Sequence, residues 1–76
     1  MTEYWVYQHG SNGVILKTTS LAEALNTLRD SEKTTWARYS VMRSDPNSTT
    51  LREIYDRFSG FRLDNMTNEE KDTIKP

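Results

Sequence analysis

Residues that could carry acid–base or nucleophilic chemistry are sparse in this chain. His9 is the one histidine among 76 residues, and there is no cysteine. A serine nucleophile would have to be assembled from His9, the nearby Ser11 and a distant carboxylate, and nothing in their spacing supports a catalytic triad. We therefore interpret His9 as an exposed histidine beside a glycine turn. We predict no catalytic residue and no enzymatic activity.

Metal and cofactor sites have equally little support. A zinc site needs three or four Cys, His or carboxylate ligands, and this composition supplies few of them. The oxygen-rich stretch 64–70 lacks the alternating ligands and the glycine of a calcium loop. Segment 10–13 has no Lys-Ser/Thr after it and does not open a helix, as a phosphate-binding loop would. We predict no metal and no cofactor.

Two neighbouring carboxylates, Glu53 and Asp56, could in principle support glycosidic chemistry. Each has a simpler partner, because Arg52 precedes Asp56 by four residues and Arg57 follows Glu53 by four. On a helix this spacing forms surface ion pairs, each worth roughly 0.3–0.5 kcal/mol. We therefore expect structural roles for these side chains.

Composition narrows the class of protein further. Ten basic residues against eleven acidic ones give a net charge of -1, so strong sequence-independent attraction to nucleic acid or anionic lipid is not expected. The longest aliphatic run, Val14–Leu16, is too short for a membrane span or a signal-peptide core. The absence of cysteine excludes a disulfide framework. We expect one small, soluble, cytoplasmic domain that makes no membrane contact.

The first half of the chain predicts a β-hairpin followed by a helix. Aromatic and β-branched residues favour a strand over 3–8, Asn12-Gly13 favours a type I′ turn, and 14–19 reads as the returning strand. Ser20 and Glu23 then form a capping box ahead of a helix. Its apolar stripe consists of Leu21, Ala24, Leu25 and Leu28.

The second half predicts a strand over 34–43, a turn over 44–48 and a second helix. Thr50 and Glu53 form its capping box, and Gly60 is placed to end it in the left-handed conformation. Its apolar stripe consists of Leu51, Ile54, Tyr55 and Phe58.

The predicted element order is therefore β-β-α-β-α, in the α+β class. We expect a three-stranded antiparallel sheet with spatial order 2-1-3, packed by one or two helices. Residues 1–63 form the single domain. Residues 64–76 form an acidic C-terminal tail with at most a short helix.

The two sides of the predicted strands differ in character, because side chains alternate along a strand. The compact, uncharged set suits the face that meets the helix: Tyr4, Val6, Val14, Leu16, Ala37, Tyr39 and Val41. The opposite set mixes tryptophan, tyrosine and cations, as binding hot spots do: Trp5, Tyr7, Ile15, Lys17, Trp36, Arg38 and Met42. A second helix could bury that opposite face, and a one-residue register slip would exchange the two faces. The sequence leaves both alternatives open.

These features predict a non-enzymatic protein-binding module that inhibits or modulates a larger protein or complex by surface occlusion. The predicted partner-binding residues are Trp5, Tyr7, Ile15, Lys17, Trp36, Arg38 and Arg43. The layout resembles that of small phage-encoded inhibitors of host machinery, which implies an accessory role by layout only. One alternative is a single-stranded nucleic-acid-binding protein that uses the same aromatic face. Another is a self-associating structural subunit, a homo-oligomer joined through that face or through a strand edge.

Overall fold

A computed structural model describes residues 1–10 and 13–75 of the chain. In chain order its elements are strands β1 (Glu3–Gln8) and β2 (Gly13–Thr18), helix α1 (Leu21–Thr34), strands β3 (Tyr39–Ser44), β4 (Leu51–Asp56) and β5 (Gly60–Phe61), a 3₁₀ turn (Leu63–Asn65) and helix α2 (Asn68–Ile74). The strands form one antiparallel sheet in the order β2-β1-β3-β4-β5. The predicted α+β class is confirmed, whereas the sheet in the described residues has five strands and not three.

The predicted second helix is wrong, because residues 51–61 form β4, a tight turn and β5. Ile54 and Tyr55 have the spacing of a helix stripe, but a β-bulge in the β3–β4 pairing lets adjacent residues face one side of a strand. Pairing with β4 also satisfies an edge of β3 that would otherwise be open. Gly60 is left-handed as expected, with φ 81°, but it closes the β4–β5 turn and not a helix.

The ion pairs predicted for that helix are absent among the described residues. Residues four apart in a strand are about 13 Å apart along the chain, too far for an i,i+4 pair. Glu53 Oε1 instead lies 3.3 Å from Arg62 Nη1, across the turn. Arg57 lies 3.9 Å from Glu32 of α1.

Helix α1 forms where the capping signal and the apolar stripe predict it. Ser20 Oγ accepts a hydrogen bond from the Glu23 amide at 3.2 Å, while the Ser20 amide donates to Thr18 Oγ1. All four stripe residues are buried against the sheet. Together they complete the core of Val6, Leu21, Ala24, Leu25, Leu28, Tyr39, Val41, Ile54 and Met66.

Helix α2 starts at a complete capping box. Thr67 Oγ1 accepts from the Glu70 amide, and Glu70 Oε1 accepts from the Thr67 amide. Glu70 is itself buried. Tyr4 Oη and Arg43 Nη1 compensate for this burial, because both donate to its carboxylate at 2.7 Å. Among the described residues, neither helix has the combination of length and apolar character that a membrane span requires.

Candidate functional site

Strand pairing assigns the side chains of the sheet to two faces, because directly paired residues in antiparallel strands share a face. Trp5 pairs with Lys17 on one side and with Met42 on the other. Tyr7 pairs with Ser40 in the same way. We call the face that carries these side chains the open face; it consists of Glu3, Trp5, Tyr7, Val14, Ile15, Lys17, Arg38, Ser40, Met42, Ser44, Leu51, Glu53, Asp56, Phe58 and Arg62.

Both described helices pack on the face opposite to the open face. Val6 and Val41 pair across β1 and β3 and belong to the core that α1 covers. Tyr4 and Arg43 also pair, and both reach Glu70 of α2. In residues 1–10 and 13–75, no helix lies across the open face, which removes the alternative that a second helix buries it.

A β-bulge enlarges the apolar part of the open face. Val6 pairs with Leu16 and Tyr7 pairs with Val14, so Ile15 is the extra residue of β2. Val14 therefore shares the open face with Ile15, and both are about 40% exposed (40% and 38%). The prediction that Val14 faces the helix is wrong, because strict alternation fails at the bulge.

The two rings of β1 are held by polar neighbours. Trp5 Nε1 donates to Glu3 Oε1 at 3.3 Å, and Lys17 Nζ lies 4.1 Å from the indole centroid, a cation–π distance. Tyr7 meets the His9 ring edge-on, with centroids 4.9 Å apart. Trp5 and Tyr7 are half-buried, so each still presents ring surface to solvent.

The polar part of the open face centres on Asp56, which is fully buried. Its Oδ1 accepts from Arg38 Nε at 2.7 Å and from Ser40 Oγ at 3.2 Å. Its Oδ2 accepts from the amides of Phe58 and Ser59 at 3.1 and 3.2 Å. Burial alone would raise the pKa of the Asp56 carboxyl, but the hydrogen bonds from Arg38, Ser40 and the Phe58 amide outweigh it and lower that pKa.

His9, Ser40 and Asp56 resemble a catalytic triad in composition but not in order. His9 Nε2 lies 2.8 Å from Ser40 Oγ, and Ser40 donates its own proton to Asp56. In a triad the imidazole lies between serine and carboxylate, whereas here the serine lies between them. Ser40 is also fully buried, which leaves no room for a substrate. Sequence reasoning paired His9 with Ser11, which lies outside the described residues, and it missed Ser40 because sheet pairing alone brings the two together.

The residues nearest to a metal-binding arrangement are His9, Glu53 and Asp56, whose ligand atoms lie within 4.8 Å of one another. Each carboxylate already has an arginine: Asp56 with Arg38 at 2.7 Å, and Glu53 with Arg62 at 3.3 Å. The four hydrogen bonds to Asp56 also occupy the lone pairs that would bind a cation. We interpret this cluster as an ion-paired network and not as a metal centre.

Phe58 occupies the corner of the open face beside Arg38. The sequence predicted that it would be buried on a helix, but its ring is 71% exposed at the tip of the β4–β5 turn. Arg38 Cζ lies 5.4 Å from the ring centroid. The amides of this turn donate hydrogen bonds to Asp56, and these bonds fix the backbone that carries the exposed ring.

Trp36 lies at the end of the sheet and not within a strand, because β3 starts only at Tyr39. It is 89% exposed, and the Arg57 guanidinium lies 5.3 Å from its ring. Arg57 Nη1 also donates to the carbonyls of Thr35 and Ala37, at 2.6 and 3.0 Å. These two hydrogen bonds fix the backbone on both sides of Trp36, in the segment that joins α1 to β3.

The predicted partner-binding residues thus fall in three places. The open face brings together Trp5, Tyr7, Ile15, Lys17 and Arg38. Trp36 stands apart, against Arg57 at one end of the sheet. Arg43 lies on the opposite face, 8% exposed, where it donates to Asp45 and Glu70.

Comparisons of the chain with protein-family models, with curated proteins and with solved structures returned no match. The candidate site is the open face together with its corner at Arg38 and Phe58. It combines exposed aromatic and aliphatic side chains with ion pairs.

Proposed function

We propose that this chain is a non-enzymatic protein-binding module that inhibits or modulates a larger protein or complex by covering part of its surface. The observation that carries the proposal is an apolar surface that neither of the described helices covers: Trp5, Tyr7, Val14, Ile15, Met42 and Leu51. Monomers seldom expose contiguous apolar patches larger than a few hundred Å², and such patches mark interaction sites. The proposal keeps the cytoplasmic location that the sequence favours.

Charge on the open face supports a protein partner over a nucleic acid. Arg38 is paired with Asp56, Arg62 lies beside Glu53, and the Lys17 ammonium lies over Trp5. The whole chain carries a net charge of -1. Tight binding to a phosphate backbone draws on many cations that release counterions, whereas the described part of this face presents three, each beside a carboxylate or a ring. Aliphatic side chains on this face also suit a protein surface better than stacked bases.

A second polar region supports the non-enzymatic part of the proposal. A cleft of about 420 Å³ lies on the helix side of the sheet, lined in part by Tyr4, Arg43 and Glu70. Tyr4 and Arg43 both donate to Glu70, each at 2.7 Å. Because these hydrogen bonds dock α2 on the sheet, we assign the cleft a structural role.

The test compares two aliphatic-to-serine variants that differ in position. Affinity capture with the wild-type chain, followed by purification of the captured protein, supplies the partner for binding measurements. Ile15→Ser removes an exposed side chain from the open face, and Leu63→Ser removes an exposed one from the 3₁₀ turn. We expect Ile15→Ser to weaken binding about tenfold while Leu63→Ser binds like wild type.

Thermal unfolding of both variants serves as the folding control. The proposal is rejected if both folded variants bind with wild-type affinity. A captured nucleic acid whose affinity falls steeply with salt would instead favour the single-strand-binding alternative.

A further inference from the structure

The carboxylates and cations of the open face lie at different depths. Asp56 carries a carboxylate that is 1% exposed, while the Arg38 side chain paired with it is 45% exposed. Glu53 and Arg62 repeat the arrangement, at 26% and 44%. A partner that approaches this face therefore meets guanidinium groups before it meets carboxylates.

The formal charge of this surface understates its positive character. Lys17, Arg38 and Arg62 are balanced in number by Glu3, Glu53 and Asp56. All three cations are exposed, however, whereas none of the three carboxylates is. The accessible charges of the open face are therefore cationic, and Lys17 lies directly over the Trp5 ring of β1.

Arg38 has donors left for a partner. In the part of the chain that the structure describes, Arg38 donates from Nε to Asp56, and its two terminal nitrogens make no hydrogen bond to the protein. The guanidinium lies beside the exposed Phe58 ring, with its carbon 5.4 Å from the ring centroid. A carboxylate could accept from both nitrogens at once, with an apolar side chain against the ring.

We infer that the open face recognises an acidic, apolar peptide segment of the partner protein, with carboxylates at Arg38 and Lys17 and apolar side chains against Phe58 and Ile15. This inference rests on the proposed function, since it names the chemistry of the partner at the same site. Charge complementarity selects the acidic groups. The aliphatic surface at Ile15 and the exposed ring of Phe58 select their apolar neighbours.

The probe is a display library of random short peptides, selected against the immobilised chain. Four forms are compared: wild type, Phe58→Ser, Lys17→Gln and Arg29→Gln. Arg29 is exposed on α1, so Arg29→Gln changes the net charge as Lys17→Gln does but on the other side of the sheet. Arg38 is left intact because it compensates the buried Asp56.

Wild type and Arg29→Gln are expected to select peptides in which Asp or Glu flanks Leu, Ile or Phe. A synthetic peptide of that type should bind Phe58→Ser and Lys17→Gln about fivefold more weakly than wild type. Its Asp→Asn and Glu→Gln analogue should lose affinity for wild type to a similar extent.

The inference is overturned if selection yields no acidic consensus, or if the selected peptides bind all four forms alike. Binding of an oligothymidylate in preference to any peptide overturns it as well. If basic or neutral peptides are selected and lost on Ile15→Ser, the open face binds protein and only the stated chemistry is wrong. If the captured partner is indifferent to Ile15→Ser, the proposed function itself fails.

Discussion

Asp56 and Arg38 form an ion pair of 2.7 Å in which the carboxylate is buried and the guanidinium is half-exposed. The pair joins the end of β4 to the residue that precedes β3. Asp56 also accepts from two backbone amides of the β4–β5 turn, so one carboxylate holds both the arginine and the turn. The corner that presents Phe58 therefore depends on the ionised form of Asp56.

This dependence predicts a loss of stability in acid. The folded-state pKa of Asp56 lies below its ordinary value of 3.8, so its contribution to stability is present above that value and lost as pH falls through the folded-state pKa. Asp56→Asn should lower the urea midpoint near neutral pH and flatten the dependence below about pH 3.8. Urea unfolding followed by circular dichroism measures both effects.

The matched control for Asp56→Asn is Asp72→Asn. Asp72 lies 3.2 Å from Lys75 in an exposed i,i+3 pair, which contributes little. Equal midpoints for the two variants would contradict a structural role for the buried carboxylate.

Two tyrosines predict a loss of stability in alkali. Burial and a hydrogen bond to Glu32 raise the pKa of Tyr55 to about 12, and burial with a hydrogen bond to Glu70 raises that of Tyr4 as well. Unfolded phenols ionise near pH 10, so the unfolded chain releases these protons first and stability falls as pH rises above about 10. Thermal midpoints should therefore decline above that pH, and Tyr55→Phe should reduce the decline.

Phenolate absorbance gives an independent check on the tyrosines. Tyr4 and Tyr55 should ionise only at higher pH or on unfolding, and Tyr55→Phe should remove part of the late absorbance rise. Ionisation of both phenols near pH 10 in a chain that stays folded would show that Tyr4 and Tyr55 are not protected.

The buried Glu70 predicts that this side chain anchors α2, beside the packing of Ile74 on the core. Glu70→Ala leaves the buried Arg43 without this carboxylate and leaves Tyr4 Oη without its acceptor. We expect a loss of about 3 kcal/mol in the free energy of unfolding, typical for removal of one partner of a buried pair. Denaturant unfolding measures it.

Glu69→Ala is the control for Glu70, because Glu69 is exposed one residue earlier in the same helix. Its effect should stay within about 0.5 kcal/mol. Hydrogen exchange should also show faster amide exchange in α2 for Glu70→Ala, and a wild-type exchange rate there for Glu69→Ala. A wild-type exchange pattern in Glu70→Ala would refute the anchoring role.

The two tryptophans should differ in fluorescence. Trp36 is 89% exposed, so Trp5→Phe should leave a chain whose emission resembles tryptophan in water and is readily quenched by iodide. Trp36→Phe should leave the half-buried Trp5, with blue-shifted emission and weaker quenching. If iodide failed to quench Trp36, the segment between α1 and β3 would have to cover its ring, contrary to the exposure described above.

The elements with local signals could be predicted from the sequence. The hairpin strands follow from their aromatic and β-branched residues, and α1 follows from Ser20 and its apolar stripe. Strand β4 could not be predicted in this way. Two adjacent apolar residues such as Ile54 and Tyr55 occur on one side of a helix and also at a β-bulge, so their spacing does not distinguish the two. The hydrogen bonds that decide between the two come from β3, and they depend on tertiary pairing.

In the candidate site, too, only the features with a local sequence signal could be predicted. Alternation alone places Trp5, Tyr7 and Lys17 together. The exposure of Phe58 depends on the unpredicted turn, and the position of Arg43 depends on the buried Glu70. The exposure of Phe58 and the position of Arg43 both depend on contacts with residues distant in sequence, so no local sequence pattern could predict them.

Cross-saturation from the purified partner onto the isotope-labelled chain shows which surface of the chain the partner covers. The signals of Trp5, Tyr7, Ile15 and Phe58 on the open face should lose intensity, while those of the exposed side of α1, at Arg29, should keep theirs. Loss of intensity along α1 with an unaffected open face would contradict the proposed function.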